Sequence, residues 1–180
     1  GLDDDSLIDD FLSFPESGDA DQTSFEFQLN GTFDRWDFVS GPYYFEEEGG
    51  NFQFPTTFNG FGDGLFVLDQ DVTSLAVYGN AGVSVSDALR VSAGLRFTQD
   101  EKDAVANVGI GPTAGTADFD EVTWDLSANY TFSGGMNLYG TVQSGYQSGQ
   151  FPARPFCLFG DPTCFVASDN ITAINYEFGV

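Results

Sequence analysis

The stretch LAVYGNAGVSV (residues 75–85), followed by SDA (86–88) and LRVSAGLRF (89–97), decides the fold. In the first run Leu75, Val77, Gly79, Ala81, Val83 and Val85 fall on one face, and Tyr78, Asn80, Gly82 and Ser84 on the other. In the last run Leu89, Val91, Ala93, Leu95 and Phe97 oppose Arg90, Ser92, Gly94 and Arg96. A period of two is the signature of an extended strand with unlike faces, and Ser86–Ala88 is long enough to reverse the chain. The two arginines occupy one side only, so the hairpin has an apolar face and a polar face.

The same reading extends outward. Val122, Trp124, Leu126, Ala128, Tyr130 and Phe132 alternate with Thr123, Asp125, Ser127, Asn129 and Thr131. Ser133–Gly135 then turns the chain into Met136–Ser148, where Leu138, Val142 and Tyr146 oppose Thr141, Gln143 and Gln147. Phe25, Phe27 and Leu29 alternate with Glu26, Gln28 and Asn30, and a turn at Thr32–Asp34 leads into Arg35–Glu46. The strands expected from this pattern cover residues 24–31, 35–46, 74–85, 89–99, 122–132, 136–148 and 173–180. Residues 1–23 read as an acidic loop segment and 24–180 as the β-domain.

Connection lengths sort into two classes. Short turns (32–34, 86–88 and 133–135) alternate with long loops expected at 47–72, 102–121 and 149–172. This is the arrangement of an all-β, antiparallel up-and-down meander that forms part of a transmembrane β-barrel wall. A soluble sandwich also alternates, but its strands are shorter and its loops are not sorted by length. Each expected strand is about as long as a tilted strand needs to be to cross hydrocarbon.

Composition narrows the function. The 28 acidic residues against 5 basic ones give a net charge of −23. That balance argues against nucleic acid as a partner, and against basic patches that seek anionic surfaces. The acidic residues crowd Asp3–Asp10, Glu46–Glu48 and Asp118–Glu121. Clustered carboxylates leave Ca²⁺ at the acidic loops as a weak option, since no stretch matches a calcium-binding loop motif. Aromatic residues make up 16% of the chain, and Tyr43, Tyr44, Trp124, Tyr130, Tyr146 and Tyr176 suit a girdle at a lipid–water boundary. No apolar run is long enough for a transmembrane helix, and the Gly1 start without a leader is expected of a piece of something longer.

Catalytic chemistry finds no support. The chain has no His, which removes Ser-His-Asp and Cys-His arrangements and the commonest metal ligand. The glycines of residues 109–115 lack nucleotide-loop spacing, so neither an enzyme nor a bound cofactor is expected. Cys157 and Cys164 flank the turn residues Gly160-Asp161-Pro162, and their spacing fits a disulfide in an oxidising compartment better than a metal site.

The wording of the strands adds a resemblance. RWDFVSGPYYFEEE (35–48), LAVYGNAGVSVSDALRVSAGLRFTQDEK (75–102), WDLSANYTFSGGMNLYGTVQSGYQSGQF (124–151) and NYEFGV (175–180) resemble consecutive pieces of the barrel of TonB-dependent outer-membrane receptors. Gln147 and Gln150 stand where that family more often has Lys and Gly. The resemblance implies an outer-membrane active transporter of a Gram-negative bacterium that imports a scarce ligand such as an iron chelate, a cobalamin or a glycan. It also implies as partners the outer-membrane lipid, a plug domain, the remaining barrel strands, and TonB acting through the plug. On that reading Arg90, Arg96, Asp125, Asn129 and Gln143 face the lumen. Open sheet edges leave one alternative, identical copies stacked into an extracellular β-fibre with no transport activity.

Overall fold

The computed structural model describes residues 12–13, 16–53, 56–57, 66–107, 111–152 and 164–180. Within them the elements are β1 (Leu12–Ser13), β2 (Glu16–Glu26), β3 (Leu29–Thr32), β4 (Trp36–Gln53), β5 (Thr56–Thr57), β6 (Phe66–Ser84), β7 (Leu89–Asn107), β8 (Pro112–Thr131), β9 (Asn137–Gln147) and β10 (Ile171–Gly179). One eight-stranded sheet runs in the order β2-β4-β6-β7-β8-β9-β10, with β3 pairing β4, while β1 and β5 form a separate pair. Every ladder is antiparallel, so the sheet is the expected meander.

Local chemistry explains where the chain turns. At 86–88 the Ser86 hydroxyl accepts from the backbone N–H groups of Ala88 and Leu89, closing a tight reversal. At 133–135 the Gly135 N–H donates to the Phe132 carbonyl, and Gly135 has φ of 83°. That left-handed residue after a tight turn is the three-residue hairpin expected of a glycine at this point. The break between β2 and β3 also has a cause. Pro42 of β4 has no N–H to give on the side where Phe27 donates to the Pro42 carbonyl, and the ladder lapses there.

The strands run well past the expected ends. β4, β6, β7 and β8 are 18, 19, 19 and 20 residues long. Residues 16–23, expected as part of an acidic loop segment, pair with β4 from Glu16↔Gln53 to Thr23↔Glu46. Much of 47–72 is likewise strand, and 102–121 is nearly all strand, with β7 and β8 paired out to Asn107↔Pro112. The physical reason is that an apolar face is not required for pairing. Beyond the apolar band most positions are polar or small, with only scattered large apolar residues such as Leu68, Val105 and Phe119, so the hydrophobic period fades while the backbone ladder continues.

On the other flank, β8 and β9 stop pairing at Asp125↔Gln143. Just beyond, the Ser144 hydroxyl accepts from the Trp124 N–H and donates to the Trp124 carbonyl, taking up the backbone groups where the ladder ends.

The sheet has almost no interior. Among the described residues the buried apolar side chains are Ala76, Ala104, Ala106, Phe151 and Phe165. Exposure alternates strictly along β8, with the even-numbered residues open and the odd-numbered ones half-buried through Asn129. A curved single layer does this, because neighbours crowd the concave side and spread apart on the convex side.

Candidate functional site

The large apolar side chains stand on the convex, open face. Register aligns Val77 with Phe97 and Phe97 with Val122, Leu95 with Trp124, and Ala93 with Leu126, which in turn meets Val142. Leu95 is 63% exposed and Leu126 54%, values no soluble core tolerates across a whole face. From Leu89 to Phe97 at about 3.3 Å per residue and about 40° of tilt, the band is about 20 Å tall, comparable with the apolar belt of an outer-membrane barrel. Aromatic residues mark its limits, but Tyr43 and Tyr146, expected in that girdle, reach Arg96 and Asp100 on the concave side instead. Phe33 stacks on Trp36 at 4.1 Å and Tyr130 meets Phe132 edge-on at 4.7 Å at the turn end, while Phe25 and Tyr44 stack at 6.4 Å at the other.

Above that second limit the convex face changes abruptly. Tyr44, Leu75, Phe97 and Val122 give way to Glu46, Thr73, Gln99 and Asp120. Among the described residues no group of three or more acidic or Cys side chains is arranged to hold a metal ion, and Asp3–Asp10, part of the acidic-loop option for Ca²⁺, lie outside those residues.

The concave face is polar and cross-linked by bridges that skip a strand. Arg90 of β7 reaches across β6 to Asp37 of β4 at 2.6 Å. Asn80 of β6 donates across β7 to both Asp125 oxygens at 3.3 and 3.2 Å. Tyr78 of β6 donates across β4 to Glu26 at 2.6 Å. The strand crossed by the first two bridges offers a glycine at the crossing point. A Cβ on Gly82 would collide with the Arg90 guanidinium, and a Cβ on Gly94 with the Asp125 carboxylate and the Asn80 amide. Ser92 and Ser127 share a hydrogen bond at 2.7 Å between these bridges.

Arg96 is held differently. Its Nε donates to Thr98 at 3.1 Å and its guanidinium lies 5.1 Å from the Tyr43 ring centroid, a cation–π distance. With Tyr78, Asn80, Thr123, Asp125 and Gln143 it lines a concave hollow of about 270 Å³. Higher up, Lys102 is 3% exposed and donates to the Gly149 carbonyl at 2.8 Å. Burial pulls its ammonium below the ordinary lysine range, while Asp100 and Glu47 pull the other way.

The residues expected to share a polar face, Arg90, Arg96, Asp125, Asn129 and Gln143, therefore sit on one concave surface, with Asn129 opposite Arg90 in the ladder. Asp125 accepts from Asn80, and the carboxylate on Arg90 is Asp37. Sequence reasoning passed over Asp37, Asn80, Gly82, Gly94 and Lys102. The signal was there in the glycines: Gly82 and Gly94 stand on the polar face, where a long side chain from one neighbour must cross to another. Cys164 is disulfide-bonded, and its expected partner Cys157 lies outside the described residues. A face of hydroxyls, amides and an ion pair can hold a polar ligand or a docked polar domain.

Comparison with known proteins agrees with this geometry. A search of curated proteins found no match. Among solved structures, the ferric yersiniabactin uptake receptor FyuA from Yersinia pestis superposes with a TM-score of 0.68 at 19% identity. The match covers 93% of this chain and 26% of that one, so the chain spans about a quarter of that receptor's length. A likeness at that identity speaks for the fold. The family model for TonB dependent receptor-like β-barrels matches residues 2–180, so the chain belongs to that family.

Proposed function

We propose that this chain is a section of wall from an outer-membrane active transporter, in which the convex face meets lipid and the concave face lines the lumen. The observation that carries this reading is the sidedness of the sheet: the exposed convex face is apolar through Leu95, Trp124 and Leu126, and the concave face carries Arg90, Arg96, Asn80 and Asp125. Arginine on a lipid face near the midplane would cost about 2–4 kcal/mol, which explains why both arginines of β7 point inward.

Two open edges, β2 with β3 on one side and β10 on the other, call for further antiparallel strands to close the ring. Curvature favours that closure over flat stacking of copies into a fibre. A polar lumen of this kind accommodates a plug domain through which TonB delivers energy. The ligand is a scarce compound, and the fold neighbour FyuA, a ferric yersiniabactin receptor, favours an iron chelate over a cobalamin or a glycan. Cys157 is the partner of Cys164 in this reading, in keeping with an outer-membrane loop exposed to an oxidising medium.

Spin labels placed one at a time from Val122 to Tyr130 in the receptor reconstituted in lipid test the assignment. Leu126→Cys should be relaxed mainly by dissolved oxygen and Ser127→Cys mainly by a water-soluble nickel chelate, alternating along the strand. Accessibility with no period of two would refute it.

A further inference from the structure

Above the apolar band the concave face carries the main apolar cluster of the described residues. Phe151 and Phe165 stack at 5.0 Å and sit against Ala104 and Ala106, with Leu68, Ala117, Cys164 and Ala167 around them. The small residues make the seat. A Cβ on Gly115 would meet the Phe151 ring at 2.6 Å, so glycine and alanine on the inward positions of β7 and β8 leave a trough as deep as a phenyl ring.

The rings arrive on two legs of chain, 148–152 after β9 and 164–170 before β10. The legs are tied to one another by Ser168 N–H to the Gln150 carbonyl and Gln150 N–H to the Ser168 hydroxyl, each at 3.0 Å. They are tied to the wall at three further points. The Lys102 ammonium donates to the Gly149 carbonyl and lies 5.9 Å from the Phe119 ring centroid; Asn170 donates to Glu121 at 3.2 Å; and Tyr146, where the first leg leaves β9, donates to Asp100 at 3.1 Å. Gly149 is required at its place, since a Cβ there would strike the Ser168 carbonyl and the Phe119 ring.

The anchor points have a definite height. Asp100, Lys102, Phe119 and Glu121 lie on the same face as Arg96 and Thr123 and beyond them along β7 and β8, away from the short turns. A solute moving along the concave face toward the Arg96 hollow from that end meets the two legs first.

We infer that the two legs form a clamp folded inward across the mouth, and that Lys102 is the positioning residue that locks it. A lysine has a long flexible stem and would ordinarily keep its ammonium in water. Here the ammonium is withdrawn from water and donates to a backbone carbonyl of the first leg. Removing the charge leaves the Gly149 carbonyl without its donor and frees the first leg, and the second leg follows through Ser168 and Phe165. The placement across a mouth rests on the wall reading above; the clamp itself does not.

The test uses the whole receptor in isolated outer membranes, with folding of each variant checked by heat-modifiable migration. Hydrogen exchange should find 148–152 and 164–170 protected. Lys102→Met, and independently Phe165→Ala, should each speed exchange in both legs by about tenfold or more, with residues 89–98 unchanged. In parallel, Gln143→Cys should react faster with a bulky external maleimide in the Lys102→Met background than in the wild type. Unaltered leg exchange in Lys102→Met overturns the clamp. Faster exchange with unaltered labelling of Gln143→Cys overturns its position across the mouth. Leu126→Cys labelled as fast as Gln143→Cys in otherwise wild-type receptor would instead refute the wall reading, leaving hydrogen exchange to decide the clamp alone.

Discussion

The lower and upper halves of β7 are the same strand with opposite sidedness. From Leu89 to Phe97 the convex positions are Leu, Val, Ala, Leu and Phe, and the concave ones are Arg90, Ser92, Gly94 and Arg96. From Gln99 to Asn107 the convex positions are Gln99, Glu101, Asp103, Val105 and Asn107, while the concave ones pass from Asp100 and Lys102 to Ala104 and Ala106, buried under Phe151 and Phe165. β8 inverts at the same height, with Val122 outside below and Asp120 outside above. A sheet places its apolar face toward whatever is apolar, so on the wall reading proposed above the change marks where hydrocarbon outside is replaced by water outside and a folded segment inside. Pairing is indifferent to this change, which is why one ladder carries both halves.

The largest expected effect breaks the comparison directly. Ala93 and Asp103 are both convex residues of β7, one in the middle of the band and one above it. Ala93→Arg should lose about 2–4 kcal/mol of assembly free energy and Asp103→Arg less than about 1 kcal/mol. Ser92→Arg, next to Ala93 but on the concave face, should also be tolerated. The fraction of receptor showing heat-modifiable migration on a gel measures all three. Equal assembly of the Ala93 and Asp103 variants would remove the distinction between the halves.

The upper half holds the second effect. If Cys157 and Cys164 close the segment between the two legs, the cross-link restricts its open states by about 2–3 kcal/mol in the chain-entropy model. Mass measurement of non-reduced peptides should find the two cysteines joined, and Cys164→Ser should raise exchange at 164–170 while leaving 89–98 as before. Two free thiols under non-reducing conditions would reject the pairing.

How much of this was legible in the sequence follows from the same contrast. The band was readable because its apolar face is unbroken: Leu89 to Phe97 and Val122 to Phe132 announce themselves by period alone. Residues 16–23 and 102–121 were not, because 16–23 hold no large apolar side chain and much of 102–121 sets small residues on one face against polar or small ones on the other, which removes the apolar–polar contrast that the reading depends on. Arg90 and Arg96 were placed on the polar face from alternation, but their neighbours were not, since a bridge such as Arg90 to Asp37 joins residues more than fifty positions apart and depends on register across two ladders. Lys102 carries no such signal, since it stands in the polar run Gln99–Asp103. Only the fold of 148–152 onto the wall makes it buried.

The third effect sets the two faces of the band against each other at glycines. Gly79 is convex, and a Cβ there would meet only the Ser40 Cβ at an ordinary 3.7 Å. Gly79→Val should therefore be neutral or stabilise by up to about 1 kcal/mol, since a β-branched residue suits a strand facing lipid. Gly94 is concave and lies under the Asn80–Asp125 bridge, so Gly94→Val should cost about 1–2 kcal/mol by forcing apart a hydrogen-bonded carboxylate. Urea unfolding of the detergent-solubilised receptor compares them. A destabilised Gly79→Val with an unaffected Gly94→Val would reverse the assignment of faces.

The smallest effect concerns the Arg90–Asp37 pair, which is short at 2.6 Å yet nearly half exposed on both sides. Short distance argues for a strong contact and exposure for a weak one; solvent screening decides, because water at the open concave face shares both charges. A double-mutant cycle with Arg90→Met and Asp37→Asn should give a coupling of about 0.2–1 kcal/mol, shrinking as salt is raised toward about 1 M. Removing Arg90 alone should weaken the sheet no more than this, since Asp37 can turn to water. A coupling of several kcal/mol that ignores salt would mean that the concave face is dry at this height, with a protein domain packed against it in place of solvent. The cycle run on receptor with and without the plug domain proposed above would then show whether that domain is the cause.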